Sequence, residues 1–178
     1  VYSTGMFWSG GILPQLEAGA IYERLDPHAA WDSGVNAQML QLKIAVFHCP
    51  SASVPERFSH GVQNRATSTY LGCASGTINR ETGPQHLLSA TRQNGVLFRD
   101  SAIRLSHIWD GTSNTIMVGE TLVGLTQISA DHSGVRQLVD HWAVATPTLT
   151  DNELSESLGT TAAPIGKALA RDANLYPD

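Results

Sequence analysis

The sequence predicts an α+β fold, and two observations carry this prediction. Apolar residues near the N-terminus recur at helical spacing, and short apolar runs separated by turn residues follow them along the chain. A helical part followed by strands is the order of elements typical of α+β proteins. With 178 residues the chain suits one domain, residues 1–178, with a core that it can bury by itself.

The helical part is predicted over residues 11–26. Pro14 lies in the first turn, where a missing N–H costs nothing, and Pro27 ends the helix. Its apolar side consists of Leu13, Leu16, Ala20, Ile21 and Leu25. A second, shorter helix is predicted to begin near Asn36, because asparagine suits an N-cap.

Six short apolar runs are predicted as strands: 44–47, 68–71, 95–99, 103–105, 116–118 and 141–145. The polar stretches 50–69 and 77–94 lack periodicity, so they are predicted as long surface loops. Residues 165–169 are predicted to form a helical turn or two. The 16 glycines and 8 prolines agree with a chain that turns often.

The densest turn signal lies at residues 110–115. Asp110 and Asn114 have side chains that bond to nearby backbone, and Gly111 is free to take a positive φ. Together with Thr112 and Thr115 they predict a structural turn in which the Asp110 carboxylate accepts backbone N–H bonds. The alternative is a calcium site made by oxygens of Asp110, Asn114 and Glu120. The structural turn is the preferred interpretation, because such residues more often tie a turn together.

Composition excludes several classes of protein. Lys and Arg number 11 against 16 Asp and Glu, a formal net charge of −5, so no basic surface exists for binding nucleic acid. A hydrophobic content of 42% is that of a globular chain and not of a disordered one. No uninterrupted apolar stretch approaches the roughly 18 residues that would span a bilayer.

Catalytic and cofactor motifs are missing from the sequence. There is no GxSxG elbow, and the glycines of residues 72–76 form neither GxGxxG nor a phosphate-binding loop. Nothing in the sequence brings Glu17 and Glu120 together as an acid/base pair. The Asp-His pairs at 131–132 and 140–141 are interpreted as ordinary core or surface groups rather than metal ligands. We therefore predict no catalytic residue, no metal and no cofactor.

The sequence permits two interpretations of the tryptophans and two of the cysteines. The four tryptophans, Trp8, Trp31, Trp109 and Trp142, could form a platform for a carbohydrate, but their apolar neighbours favour core packing. Cys49 and Cys73 do not form a CxxC pair, which argues against a thioredoxin motif or a zinc knuckle. From the residues alone, they form either one disulfide or two buried thiols.

Several segments, taken together and in order, resemble one family. They are Trp8 with GILPQLE at 11–17 and IY at 21–22, VFHCPS at 46–51, YLGCASG at 70–76, GVLF at 95–98, IWDGTSNTIMVGE at 108–120, DHW at 140–142 and SLGTTA at 157–162. These segments resemble the secreted planctomycete proteins with a prepilin-type N-terminus, a family of unknown function once labelled bacterial extracellular solute-binding family ten. The 108–120 segment is the most specific.

The resemblance implies a pilin-like form of the α+β class, an N-terminal helix packed on an antiparallel β-sheet with long loops. The chain is then expected to be one pseudopilin-like ectodomain that lacks the family's hydrophobic N-terminal helix and its C-terminal segment. It also implies an extracytoplasmic location, in the periplasm, cell envelope or cell surface, with membrane attachment only through the missing helix. Because exported proteins form disulfides, Cys49 and Cys73 are predicted to pair across the long loop between them.

The expected function is that of a non-catalytic structural or assembly subunit. Its partners are expected to be other protein subunits, in an oligomer or a filament, and not nucleic acid. The alternative is an extracellular binding module for a glycan, a small solute or calcium. A third hypothesis is an undetected hydrolase that uses Ser113, Glu120 or His141. An exposed apolar stripe would favour assembly, and a pocket lined by tryptophan would favour binding.

Overall fold

The computed structural model describes residues 6–32, 34–52, 56–60, 62–76, 94–98, 101–120, 126–128, 135–137, 142 and 158–160. In these ranges the α-helices are α1 (Trp8–Gly11), α2 (Gly19–Tyr22) and α3 (Gly34–Leu40). The strands are β1 (Arg57–His60), β2 (Val62–Ala66), β3 (Tyr70–Ser75), β4 (Val118–Glu120), β5 (Thr126–Ile128), β6 (Val135–Gln137) and β7 (Leu158–Thr160). Short 3₁₀ helices lie at Leu13–Leu16, Ala45–Phe47, Leu105–His107 and Thr112–Asn114. The predicted α+β class is confirmed.

The continuous helix predicted over residues 11–26 is wrong. The segment consists of α1, the 3₁₀ helix Leu13–Leu16 and α2, each about one turn long. Glu17 has a left-handed backbone with φ 59°, and its N–H donates to the Leu13 carbonyl, which ends the 3₁₀ helix. The apolar spacing still identifies buried positions, since Leu13 and Leu25 both lie in the core.

The second predicted helix exists as α3, but Asn36 is not its N-cap. Asn36 lies inside the helix with its side chain fully buried. Its amide Nδ2 donates to the carbonyls of Asp26 (2.8 Å), Ala29 (3.3 Å) and Ala30 (3.2 Å), and its Oδ1 accepts the N–H of Asp26 (2.9 Å). One side chain therefore fastens α3 to the turn of residues 26–30.

The core contains residues from the N-terminal turns, α3 and β2. Its buried members are Leu13, Leu25, Met39, Leu40, Phe47, Val62 and Trp142. Phe47 lies between two tryptophans, with ring centroids 6.2 Å from Trp8 and 5.9 Å from Trp142. Residues 44–47, predicted as a strand, instead end in the 3₁₀ helix Ala45–Phe47, whose turns bring the Phe47 ring inward.

Part of the predicted loop 50–69 is a β-hairpin. β1 and β2 pair antiparallel, with Arg57 opposite Ala66, and Val62 and Ala66 are buried. Arg65 is also fully buried, and its guanidinium lies 5.1 Å from the centroid of the Trp31 ring, a cation–π contact. The predicted surface loop is therefore wrong over these strands, because the polar composition of the stretch gives no sign of a buried arginine.

The central sheet has the strand order β4-β3-β7. β4 pairs antiparallel with β3, as the resemblance implies, whereas β7 pairs parallel with it. β5 and β6 form a separate antiparallel pair. β3 is buried from Leu71 to Ser75, and residues 94–98 lie against it through hydrogen bonds from Gly95 N–H and Leu97 N–H.

Residues 95–98 form a bend instead of the predicted strand. The strand predicted at 103–105 is also absent, because residues 103–104 have no regular structure and residue 105 begins the 3₁₀ helix Leu105–His107. The predicted strands 68–71 and 116–118 fall next to or within β3 and β4. Of the predicted strand 141–145 only Trp142 is described, and the predicted helix at 165–169 lies outside the described residues, as does all but the end of the loop 77–94.

Candidate interaction surface

Residues 105–115 fold into consecutive tight turns. The N–H of Ile108 donates to the Leu105 carbonyl, the N–H of Gly111 donates to the Ile108 carbonyl, and the N–H of Asn114 donates to the Gly111 carbonyl. Gly111 has φ 86°, a conformation that favours glycine because a Cβ would be strained there. Its positive φ is the conformation that the sequence assigned to it.

Two side chains also hold this turn. The Asn114 amide donates to the Asp110 carbonyl at 2.9 Å, and the Thr115 hydroxyl donates to the Gly111 carbonyl at 3.1 Å. Neither bond involves the Asp110 carboxylate, whose acceptance of backbone N–H bonds stays a prediction. Gly111 turns the backbone so that the side chains of Asn114 and Thr115 close the turn.

Large apolar side chains on both sides of the turn are exposed. They are Ile103, Leu105, Trp109, Ile116, Met117 and Val118. We name these six side chains the 103–118 surface. Leu105 is 67% exposed and Trp109 is 92% exposed, whereas apolar side chains of this size are usually at least half buried in a monomer. Exposed apolar side chains concentrated in one short segment indicate a candidate interaction site.

The four tryptophans, all predicted to pack in the core, lie in different environments. Trp142 is buried, and Trp8 and Trp31 are half-buried, in ring contacts with Phe47 and with the Arg65 guanidinium. Trp109 is the exception, since its ring is almost entirely in solvent. The core assignment for Trp109 is wrong because it follows a 3₁₀ turn that leaves residues 103–109 outside the core.

β4 forms the edge of the central sheet next to this turn. Its three residues are exposed, and the register places Tyr70 opposite Glu120, Leu71 opposite Gly119 and Gly72 opposite Val118. The 103–118 surface therefore continues from the turn onto a strand edge. An exposed strand edge can bind a further strand.

The two cysteines are buried free thiols in the structure, so the predicted Cys49–Cys73 disulfide is not formed there. Each thiol has a different partner. The Cys49 Sγ lies 3.1 Å from the Ser51 hydroxyl, and the Cys73 Sγ donates to the Ser75 carbonyl at 3.6 Å. The Cys49 N–H donates to the Thr69 hydroxyl at 2.8 Å, which fixes this cysteine against the start of β3.

Two ionisable groups have shifted pKa values. Burial raises the pKa of the Tyr70 hydroxyl, and the neighbouring Cys49 thiol and Glu120 carboxylate raise it further. The Lys43 ammonium, which is hydrogen-bonded to Glu56, lowers the pKa of that carboxyl. Both members of the Lys43–Glu56 pair are exposed, so we interpret it as a surface ion pair.

The metal candidates do not form a cluster in the described part of the chain. Among the described residues, no group of three or more His, Cys, Asp or Glu could hold a metal ion. Glu17 is exposed at the end of a 3₁₀ helix, and Glu120 lies at the end of β4. The calcium candidates Asp110 and Asn114 are joined through an amide-to-carbonyl bond. His141 and the pair at 131–132 lie outside the described residues, as does Asp140.

The sequence itself contains a signal for the exposed position of Trp109. Trp109 is followed directly by a turn-forming segment and lies outside every predicted helix and strand. An apolar residue next to a tight turn, outside any periodic pattern, has no predicted element to bury it. That combination could have separated Trp109 from the other tryptophans.

The fold and this surface define a small α+β domain with an exposed apolar segment beside an open sheet edge. Residues 2–172 match the family described as a protein of unknown function, DUF1559, also labelled SBP_bac_10. The chain belongs to this family, which agrees with the label that the sequence segments suggested. Neither a curated protein nor a solved structure matches the chain. In the described part of the chain, no helix is long and apolar enough to cross a membrane.

Proposed function

We propose that the chain is a non-catalytic subunit that assembles with other protein subunits outside the cytoplasm, in an oligomer or a filament. The observation that supports this role is the 103–118 surface, which exposes six large apolar side chains. Removing apolar area from water contributes about 25 cal/mol per Å², so a protein partner that covers this surface gains substantial binding free energy.

The resemblance to secreted planctomycete proteins supports the location and the pilin-like comparison. Its most specific segment, residues 108–120, coincides with most of the 103–118 surface. The residues that carry the resemblance in this segment are therefore mainly surface residues and not core residues. A role in contacts between subunits accounts for an apolar motif at the surface better than a role in packing does.

A photo-crosslinking experiment in the native cell envelope tests this function. A photoreactive phenylalanine analogue replaces Trp109 in one variant and Val46, an exposed residue of the 3₁₀ helix Ala45–Phe47, in a matched control. We expect a discrete adduct at position 109, identified as an envelope protein by mass spectrometry, and none at position 46. A lack of any adduct at position 109, together with a monomeric chain in the envelope extract, would overturn the proposal.

One observation favours a second function, the binding of a glycan. The Trp109 ring is 92% exposed, and the polar residues Asp110, Ser113 and Asn114 follow it in the same turn. An exposed indole can stack on the apolar side of a sugar ring while such groups bond its hydroxyls. Quenching or enhancement of Trp109 fluorescence on titration with cell-wall glycan, lost in Trp109→Ala, would favour binding over assembly.

A further inference from the structure

On the side of β4 that faces away from β3, the backbone N–H and C=O groups pair with no described strand. The N–H of Cys73 donates to the Met117 carbonyl at 2.8 Å, so 73 with 117 and 71 with 119 are the hydrogen-bonded pairs of this ladder. The N–H and C=O groups of Val118 and Glu120 therefore point away from β3. No described strand pairs with this outer edge of β4.

The side chains along the edge do not block a neighbouring strand. Residues 116–120 contain no proline and no lysine, the residues that commonly protect exposed edges. At Gly119, nothing lies within 4 Å of the position that a Cβ would occupy, so the surface of β4 is open there. Ile116, Met117 and Val118 beside it are exposed and apolar.

We propose that β4 pairs antiparallel with β4 of a second copy of this chain, across a two-fold axis at Val118. This inference rests on the proposed assembly function and gives its mode of contact. The two three-stranded sheets then join into one sheet of six strands. The outward N–H and C=O groups of Val118 and Glu120, together with those of Ile116, become hydrogen-bonded.

This register is self-complementary in shape and charge. It places Val118 opposite Val118 of the second copy and Met117 opposite Gly119 of the second copy, so the Met117 side chain enters the open space above that glycine. Glu120 lies opposite Ile116 of the second copy. The two Glu120 carboxylates therefore do not face each other, and like charges directly opposite would have been destabilising.

The exposed apolar area per copy is smaller than one side of a standard interface but of the same order. From their exposed fractions, the six side chains of the 103–118 surface present roughly 650 Å² per copy, against about 800 Å² per partner in a standard interface. The two-fold axis repeats this patch on both copies, as an isologous interface requires. The strand pairing adds its hydrogen bonds to this apolar contact.

Cysteine crosslinking tests the register directly. In a Cys49→Ser/Cys73→Ser background, Val118→Cys places two cysteines at a hydrogen-bonded pair, where the Cα atoms are about 5.5 Å apart, within disulfide range. We expect a covalent dimer under mild oxidation. The matched control Val46→Cys, in the same background, is expected to remain monomeric on a denaturing gel. A Val118→Cys chain that crosslinks no faster than Val46→Cys overturns the proposed register.

Sedimentation of the unmodified chain separates this inference from the proposed function. We expect a dimer whose dissociation constant rises at least tenfold in Val118→Lys and stays unchanged in Val46→Lys, with circular dichroism confirming that both variants fold. A dimer that survives Val118→Lys but dissociates in Trp109→Ser overturns β4 pairing and leaves assembly through the 103–118 surface intact. A chain that is monomeric up to about 200 μM also overturns β4 pairing. The photo-crosslink at position 109 then decides the assembly function separately.

Discussion

The residues that close the turn at 110–115 differ in what they contribute. Asn114 donates to a backbone carbonyl, whereas the carboxylate of Asp110 takes no part in the hydrogen bonds of the described residues. The sequence identified the turn and its glycine correctly, because Gly next to Asp and Asn is a strong local signal. It could not show which side chain bonds to which carbonyl, since that depends on the backbone direction that Gly111 sets.

This difference predicts different costs for two alanine substitutions. Asn114→Ala should lower the free energy of unfolding by about 1 kcal/mol, because it removes a hydrogen bond inside the turn. Asp110→Ala should change it by less than about 0.5 kcal/mol, as is usual for exposed positions without such a bond. Urea denaturation measures both values. Equal losses in the two variants would show that the Asp110 carboxylate does stabilise the turn.

The buried thiols lead to a prediction at the same scale. Both cysteines should resist a thiol reagent in the folded protein, because each side chain is at least nine-tenths buried and in contact with a neighbouring hydroxyl or carbonyl. Unfolding in denaturant without a reductant should release two reactive thiols. Labelling with a chromogenic disulfide reagent before and after unfolding measures this. If no thiol appeared after unfolding, the disulfide predicted from the family resemblance would be present in the protein.

At the scale of elements, glycines control how closely segments approach β3. A Cβ at Gly95 would lie 2.4 Å from the Cys73 carbonyl oxygen and 2.5 Å from the Ala74 carbonyl carbon, and backbone atoms cannot move aside easily. Gly119, on β4, has open space at the same position. One glycine is therefore required by packing against the strand, and the other is not.

Gly95→Ala should consequently destabilise the protein by about 1–3 kcal/mol, the usual cost of overpacking, because residues 94–98 must shift away from β3. Gly119→Ala should be neutral or slightly stabilising, since alanine lowers the entropy of the unfolded chain. Thermal unfolding compares the two alanine variants with the unsubstituted chain. A similar loss at both positions would mean that glycine is needed for backbone freedom rather than for close approach.

The predictions that failed at this scale share a physical cause. Local spacing located Leu13 and Leu25 in the core, but it could not show that Glu17 would adopt a left-handed backbone and break the helix. Likewise, the polar residues of the stretch 50–69 predicted a loop where a hairpin forms. Arg65 of that hairpin is buried against the ring of Trp31, a residue far away in sequence, and local composition does not report such a contact. Contacts between distant segments override local pattern at these positions.

At the scale of the whole molecule, the described structure separates a tryptophan-lined core from an apolar surface. The proposed role as a non-catalytic assembly subunit predicts that the isolated chain has no hydrolytic activity. A screen of esterase, glycosidase and peptidase substrates should return only background rates. Turnover that disappeared on replacing Ser113, Glu120 or His141 would instead identify a hydrolase.

The same separation predicts that stability and association respond to different tryptophans. Trp142→Ala should lower the free energy of unfolding by about 3–5 kcal/mol, because Trp142 is 1% exposed and packs on Phe47. Trp109→Ala should change stability by less than about 0.5 kcal/mol, because its ring contributes little to packing, yet it should weaken binding to partner subunits. Denaturation and sedimentation on the same samples measure both effects. If Trp109→Ala destabilised the monomer as much as Trp142→Ala did, the 103–118 surface would be part of the core and could not be the contact between subunits.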